Sequence, residues 1–282
     1  MSHARHPRTL KLPREENGLA TSKPAVRRVQ ELLPAFLEDT VVEAETNGLV
    51  VALDGGVETT IAAAMAVDAV GAERVTGLVV PVRLSEEAPA RTAEAVASML
   101  EIEHHRLQLQ PVGSAFQSVV GETGQPTDDL VAIRNASERL RMACTYYVAN
   151  TTGKLVVGTV NRTERLLGSV AKYGENGVDV DLFGDLYRTE LRSVAEDMAV
   201  PSDILEQSGT RSDFGERSDA EELGIEPATL DSLLHFAVDR QLSAPETADR
   251  AGVDPSVVRR ALRWCSRTRH KRHTPPKPSM SN

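Results

Sequence analysis

The sequence predicts an α/β fold, in which a doubly wound parallel sheet is followed by a helical C-terminal part. Two observations carry this prediction. Short apolar runs alternate with longer segments of helical spacing, which is typical of a parallel sheet covered by helices on both faces. Polar loops follow two of the apolar runs, and in such sheets ligands collect beyond the carboxyl ends of the strands.

Each element is predicted from its apolar spacing and from the residue that ends it. The first helix contains Pro34, and the helix after the first strand ends near Gly71. Helices are predicted at 26–43, 60–70, 92–100, 130–150, 184–198, 230–240, 244–251 and 255–269, and strands at 49–53, 75–80, 105–109 and 155–157. We expect a flexible leader at 1–22, one domain at 23–278 with a C-terminal helical segment at 226–270, and a tail at 279–282.

Composition argues against several classes of protein. The chain has 282 residues, 40% hydrophobic and 4% aromatic, so its core rests on Val, Leu, Ala and Ile. A net charge of −9 argues against a general nucleic-acid binder. Two cysteines are too few for a disulfide scaffold or a four-ligand zinc site, and they fit a reducing cytoplasm. No apolar run approaches the roughly 20 residues of a membrane span, and Met1–Arg14 lacks the apolar core of a secretion signal.

The first polar loop is Asp-Gly-Gly-Val-Glu-Thr-Thr at 54–60, between a predicted strand and an Ala-rich helix. A glycine loop at a helix N-terminus presents backbone N–H groups and the positive end of the helix dipole, which suits a phosphate. Thr59 and Thr60 can donate hydroxyls to a phosphate, or cap the helix. An ordinary turn is the alternative that the local sequence leaves open.

A second cluster, Gly-Thr-Val-Asn-Arg-Thr-Glu at 158–164, follows the strand predicted at 155–157. Thr159 can bond a nucleotide, and Glu164 can hold Mg²⁺ because hard cations prefer carboxylate oxygens. The alternative is a helix start, with Asn161 or Thr163 as its cap and Glu164 in its first turn.

Two more clusters and one arginine are candidates for ligand contacts. In the glycine-flanked loop 172–179, Lys172 and Asp179 can read a ligand's charge and hydroxyls, or stand in a surface turn. His-Lys-Arg at 270–272 suits a phosphate or carboxylate, or is a solvated basic tail. Arg139, on the long helix, contacts a ligand or solvent.

Residues 242–262 offer a different class of function. They have the Ala, Gly and Val spacing of a helix-turn-helix, with basic residues on the second helix. Residues 255–282 contain eight Lys and Arg and no acid. DNA binding is therefore an alternative, which the acidic balance of the whole chain opposes.

Taken in order, the motifs resemble those of the ammonia-dependent NAD synthetases, a family of N-type ATP pyrophosphatases. The matching stretches are the Gly-Gly loop, Gly-Thr-x-Asn-x-Thr-Glu, Lys-Tyr-Gly-x-x-Gly-x-Asp, Gly-Asp-Leu-Tyr-Arg-Thr-Glu at 184–190, and His-Lys-Arg, over roughly residues 28–278. The resemblance implies an adenine nucleotide alpha hydrolase-like fold and a homodimer. It also implies Mg²⁺-dependent amidation of deamido-NAD by ammonia, with ATP converted to AMP and pyrophosphate.

The resemblance further implies a set of site residues. The implied ATP contacts are Ala52, Leu53, Asp54, Gly55, Gly56, Val57, Glu58, Thr59, Thr159, Arg188 and Thr210. The implied deamido-NAD contacts are Arg139, Lys172, Asp179, His270 and Lys271. The implied Mg²⁺ ligands are Glu58 and Glu164.

The chain departs from the family pattern at its phosphate loop. Asp54 and Thr59 stand where the family has Ser, and Glu58 stands where it has Asp. Arg188 replaces the usual Lys, and residues 208–213 around Thr210 do not match. A carboxylate at position 54 repels incoming phosphates. A second function is therefore open, a synthetase paralogue with altered or lost activity that binds nucleotide or serves as a partner subunit.

Overall fold

A parallel sheet of five strands forms the centre of the computed structural model, which describes residues 12–124, 126–207 and 219–279. The strands are β1 (Leu49–Leu53), β2 (Val75–Val79), β3 (Glu103–Arg106), β4 (Leu155–Gly158) and β5 (Val180–Asp181). Their spatial order is β3-β2-β1-β4-β5, and all four neighbouring pairs are parallel. The strand order reverses between β1 and β4, which is where such sheets bind ligands.

The strand sequences explain their places in the sheet. β1 and β2 are apolar and almost wholly buried, as central strands covered on both faces are. β3 has the polar sequence Glu-His-His-Arg with alternate residues exposed, which suits an edge. It pairs with residues 76–79 of β2 and ends at Arg106, so the strand predicted at 105–109 lies too far along the chain.

Helices cover both faces of the sheet and form the C-terminal part. They are α1 (Lys23–Glu43), α2 (Val57–Val70), α3 (Glu87–Met99), α4 (Gln110–Gly121), α5 (Leu130–Thr152), α6 (Arg162–Leu167), α7 (Arg188–Asp197), α8 (Ser202–Gln207), α9 (Asp219–Leu223), α10 (Pro227–Leu234), α11 (Ala244–Ala251), α12 (Pro255–Arg267) and α13 (Arg269–Arg272). A π-helical turn, His235–Asp239, follows α10 where one continuous helix was predicted.

Alternate residues of each strand contribute to different cores. Val51 of β1 packs in the core that α1, α2, α3 and α7 cover, whereas Val50 packs in the core that α5 covers. A third cluster joins α6 to the C-terminal helices, with Leu167, Leu230 and Val258 fully buried. The predicted doubly wound fold with a helical C-terminal part is confirmed.

Residues 12–22 differ from the flexible leader that the sequence predicts. Leu19 and Ala20 are buried, and Arg14 Nη1 lies 2.5 Å from Glu190 Oε1. The reason is long-range, because the partner carboxylate is 176 residues away in the sequence. The segment therefore forms part of the packed domain.

Helices α4 and α5 keep apolar side chains on the surface. On α4 these are Val112, Phe116 and Val119, which share one face by their spacing. Leu130, Val131 and Tyr147 are exposed on α5. Among the described helices none is both long and apolar enough to span a membrane.

Candidate active site

A cavity of about 410 Å³ lies at the carboxyl ends of β1, β2 and β4. It therefore occupies the point where the strand order reverses. Several sequence-predicted residues line it, namely Ala52, Leu53, Asp54, Glu58, Thr59, Thr159 and Glu164. The other predicted residues within the described ranges are not part of its lining. Thr210 lies outside the residues that the structure describes.

The loop between β1 and α2 bends sharply beside the cavity. Gly55 has a φ of +82°, and a Cβ at this position would stand 2.4 Å from the carbonyl oxygen of Pro89. Only glycine fits both conditions. Gly56 is the N-cap residue of α2, so the helix begins with bare N–H groups beside the cavity.

Asp54 accepts two hydrogen bonds within this loop. Its Oδ1 lies 2.8 Å from the N–H nitrogen of Gly56 and 2.8 Å from Thr59 Oγ1. Thr60 Oγ1 donates to the carbonyl of Gly56, at 2.8 Å. The hydroxyl of Thr60 thus has an internal partner, and that of Thr59 is directed to a carboxylate.

Glu58 and Glu164 face each other across the cavity through one asparagine. Asn161 Nδ2 donates to Glu58 Oε1 at 3.2 Å, and the Asn161 N–H donates to Glu164 Oε2 at 3.2 Å. Arg188 Nη2 donates to Glu164 Oε1 at 3.2 Å. Enclosure in the cavity, together with the nearby charge of Glu164, raises the pKa of Glu58 to about 7, although Arg188 opposes the shift.

Two facing carboxylates with such a shift fit a hard divalent cation, which would relieve their repulsion. The described residues contain no group of three or more His, Cys, Asp or Glu side chains arranged to hold a metal. A bound cation would therefore complete its coordination with phosphate oxygens and water, as Mg²⁺ commonly does.

The sequence leaves open whether the stretch 158–164 starts a helix or contacts a ligand, and the structure shows a place for both roles. Asn161 Oδ1 caps α6 by accepting from the Glu164 N–H at 3.0 Å, and Glu164 reaches back to form a capping box. Glu164 also lines the cavity. One short stretch thus starts the helix and faces the candidate ligand.

Buried carboxylates fix α6 and α7 beside this pair. Asp231 of α10 accepts from Thr163 Oγ1 at 2.6 Å and from the N–H and Oγ1 of Thr189 at 2.8 and 2.6 Å. Glu190 accepts from Arg14, from the Ala20 N–H and from the Tyr187 N–H. The helix predicted from Gly184 begins only at Arg188, because Glu190 caps its first turn by bonding Tyr187.

The later motifs meet one another at the C-terminal end of the domain. Lys172 Nζ donates to the carbonyls of His270 at 2.7 Å and His273 at 3.2 Å. Lys271 Nζ donates to the Gly168 carbonyl at 2.6 Å, and Arg139 Nε donates to the Lys172 carbonyl at 3.0 Å. The helix-turn-helix-like pair α11–α12 leads directly into this contact.

Asp179 is held apart from that group. Its carboxylate accepts from the Tyr146 hydroxyl at 2.9 Å and from the Val156 N–H at 2.8 Å. These bonds join it to α5 and β4, and it does not line the cavity.

Sequence reasoning missed a charged network on the α5 side of the cavity. Arg141 pairs with Glu86 at 2.7 Å and with Glu138, and its Nε donates to the Val80 carbonyl at 3.1 Å. Although burial opposes its charge, Glu138 and Glu86 raise the pKa of Arg141. The available signal was its spacing, three residues beyond Glu138 on the same long helix, at which opposite charges pair.

Glu175 also lines the cavity and was passed over within the 172–179 motif. Enclosure by the protein, followed by the charges of Glu138 and Glu164, raises the pKa of Glu175 well above its usual value. Its place inside a predicted ligand loop was the signal that could have found it.

The fold and cavity define a class of protein. A parallel sheet in this order, with a glycine turn and two facing carboxylates at the strand reversal, is an α/β fold of the adenine nucleotide alpha hydrolase-like type. The family model of NAD synthase matches residues 29–275, and the chain belongs to this family. The predicted family is confirmed.

Similar proteins agree with this assignment. The chain is 35% identical over 249 residues to the NH3-dependent NAD(+) synthetase of Halobacterium salinarum strain R1, covering 88% of this chain and 92% of the relative. It is 33% identical over 250 residues to that of Archaeoglobus fulgidus, covering 88% and 95%.

Two solved structures are also similar. The NH3-dependent NAD synthetase of Campylobacter jejuni has a TM-score of 0.74 at 22% identity, covering 90% of this chain and 99% of that one. At this identity it supports the fold alone. The NMN synthetase of Francisella tularensis has a TM-score of 0.70 at 25% identity, with the same coverage.

Proposed function

We propose that the protein is an ammonia-dependent NAD synthetase, which amidates deamido-NAD to NAD and converts ATP to AMP and pyrophosphate. The observation that carries the proposal is the hydrogen-bonded chain from Glu58 through Asn161 and Glu164 to Arg188, beside the glycine turn. The bond between Glu58 and Asn161 joins motifs that are 103 residues apart. Together they form one site suited to a nucleoside triphosphate with its metal ion.

The chemistry explains why ATP is required. A carboxylate oxygen is a poor leaving group, so the ring carboxylate of deamido-NAD first attacks the α-phosphorus and releases pyrophosphate. Ammonia then attacks the carbonyl carbon of the acyl-adenylate, AMP leaves, and the nitrogen loses a proton. Holding the reactants in line supplies much of the rate.

The phosphate side of the site is assigned to residues 52–59, with Thr159, Arg188 and Thr210 as further ATP contacts. Glu58 and Glu164 would hold Mg²⁺, which offsets negative charge on the phosphates. The ion pair of Arg188 with Glu164, which lines the cavity, supports the assignment of Arg188 to a phosphate. The position of Thr210 is carried by the family pattern alone.

The deamido-NAD side is assigned to Arg139, Lys172, Asp179, His270 and Lys271. The contacts of Lys172 with the carbonyls of His270 and His273 bring two of these motifs to one place. Lysine ammonium groups suit the phosphates of the dinucleotide. We assign the carboxylate of Asp179 to a hydroxyl of the ligand.

A homodimer is part of the proposal. The exposed apolar face of α4 and the exposed apolar residues of α5 give a surface that a second copy would cover. Sedimentation velocity tests it: the protein should sediment as a dimer and F116D as a monomer. A wild-type monomer at all concentrations would contradict this part.

One assay tests the function. Purified protein is given ATP, Mg²⁺, ammonium and deamido-NAD, and NAD, AMP and pyrophosphate are measured; one of each should form per turnover. The carboxylate precursor of NMN serves as a competing substrate, because an NMN synthetase is among the structural neighbours. Absence of NAD above background would overturn the proposal.

The second function, a paralogue with altered or lost activity, is favoured by one observation. Asp54 places a carboxylate among the donors of the phosphate loop. An inactive wild type combined with an active D54S/E58D double variant would support this function and identify the loop as its cause.

A further inference from the structure

Asp54 stands in the phosphate loop with its charge already hydrogen-bonded. Its Oδ1 accepts from the Gly56 N–H and from Thr59 Oγ1, both at 2.8 Å. Both donors belong to the N-cap and first turn of α2. The positive end of a helix and its unpaired N–H groups are what binds phosphate in loops of this kind.

The helix has no cap from the side chain of its own N-cap residue, because that residue is Gly56. The carboxylate of Asp54, two residues earlier, instead accepts from the Gly56 N–H and the Thr59 hydroxyl. Carboxylates and phosphates are bound by the same N–H and hydroxyl donors at helix N-termini. The loop therefore holds an anion that is part of the chain.

We propose that Asp54 is a resident anion of the phosphate loop, which orders Gly56 and Thr59 when no ligand is bound and competes with polyphosphate for them. The inference rests on the proposed function, which assigns the phosphates of ATP to this loop. Asp54 is thus a specificity-determining residue. It weakens binding of triphosphate and pyrophosphate while leaving contacts to the nucleoside unchanged.

The charge of the cavity strengthens this competition. Among the described residues, six carboxylates line it against three guanidinium groups, those of Arg83, Arg134 and Arg141. A polyphosphate that enters this cavity meets a surplus of negative charge. Asp54 contributes to this surplus from within the β1–α2 loop itself.

The test compares the wild type with D54N, which is nearly isosteric, keeps an acceptor for Gly56 and Thr59, and removes the charge. Binding of Mg²⁺-pyrophosphate and Mg²⁺-ATP is measured by calorimetry, with adenosine as a phosphate-free ligand. D68N is the matched control, because Asp68 is exposed on the same helix, α2. D54N should bind both polyphosphates about tenfold more tightly, about 1.4 kcal/mol, with adenosine and D68N unchanged.

D54S is a second variant with the same expected direction, and it decides the question if D54N does not fold. Equal or weaker polyphosphate binding by the folded variant overturns the inference. If the wild type makes NAD and the variants gain nothing, only the inference fails. If the wild type makes no NAD while the variants bind tenfold more tightly, only the proposed function fails. If no form binds polyphosphate, both fail.

Discussion

The two sides of the cavity are built differently. The β1–α2 loop is shaped by glycine backbone and by Asp54, which lines the cavity together with its partner Thr59. The α6–α7 side is fixed from behind by Asp231 and Glu190, each buried and each accepting three hydrogen bonds. Carboxylates thus join elements of the fold where every partner is internal, and face the cavity where the proposed ligands would bind. Changes on the two sides should separate stability from activity.

The largest effect is expected from E164Q. The glutamine keeps the capping contact with Asn161 but loses the charge that faces Glu58. NAD formation should fall about 10³-fold, about 4 kcal/mol. The unfolding free energy should change by less than about 1 kcal/mol, because loss of the ion pair with Arg188 opposes the relief of the repulsion from Glu58.

E196Q is the control for this variant, because Glu196 is exposed on α7. Steady-state kinetics and urea unfolding measure the two quantities. Retention of wild-type turnover by E164Q would remove Glu164 from the proposed metal site.

D231A should affect both quantities, because its carboxylate joins α6 to α7. The change leaves two threonine hydroxyls and one N–H without their partner. We expect a loss of about 3 kcal/mol in unfolding free energy, together with lower activity. D249A, an exposed acid of α11, is the control. A loss below about 1 kcal/mol in unfolding free energy would show that Asp231 does not fix α6 against α7.

G55A should distort the β1–α2 loop, because alanine does not fit the backbone conformation at this position. The added Cβ meets both an unfavourable φ of +82° and the Pro89 carbonyl at 2.4 Å. Stability should fall by about 2 kcal/mol, with weaker ATP binding. Gly252 is a matched control, because its φ is +66° and no described atom lies within 4 Å of the point that an added Cβ would occupy. If G252A costs as much as G55A, the contact with Pro89 has no effect of its own.

The smallest effect is expected from Asp239, which accepts hydrogen bonds from Tyr187 at the start of α7 and from Arg162. This effect depends on pH. Burial alone would raise the pKa of Asp239, but the nearby His235 and hydrogen bonds from Tyr187 and Arg162 hold it below its usual value. The contribution of Asp239 to the free energy of unfolding is therefore fully present above about pH 4, the pKa of an aspartate in the unfolded chain. This contribution is lost as the pH falls through the lowered pKa of Asp239 in the folded protein.

Replacement by asparagine tests this dependence. D239N should be about 1.5 kcal/mol less stable than the wild type at pH 7, and the difference should shrink below about pH 4. Urea unfolding of both proteins from about pH 7 to about pH 3 measures it. A difference that stays constant over the whole range would contradict the assignment.

The sequence predicts the loop side better than the opposite side. The apolar run 49–53 and the glycines that follow it are local signals, and they place β1, the turn and α2 within a few residues. The polar stretch after 155–157 is equally local. Asp231 and Glu190 look like surface acids in the sequence, because all their partners except Tyr187 are 42 to 176 residues away. Neither could be predicted without the fold.

Short or unpartnered elements also escaped prediction. β5 has only two residues, which is too few for any apolar period. α4 has no buried residue within the described part of the chain, so its apolar positions gave no core pattern to match with a neighbouring strand. Asp54 could be identified as a departure from the family, but its two hydrogen bonds depend on the turn at Gly55 and Gly56.

The contact between Lys172 and the carbonyl of His270 spans 98 residues of chain. During synthesis on the ribosome, the last strand of the sheet, β5, emerges long before this contact can form. A growing chain thus acquires the β1–α2 loop early and the proposed dinucleotide side last. A chain that stops after residue 268 would keep all five strands but lose the hydrogen bonds that join residues 270 and 271 to Lys172, Asn176 and Gly168.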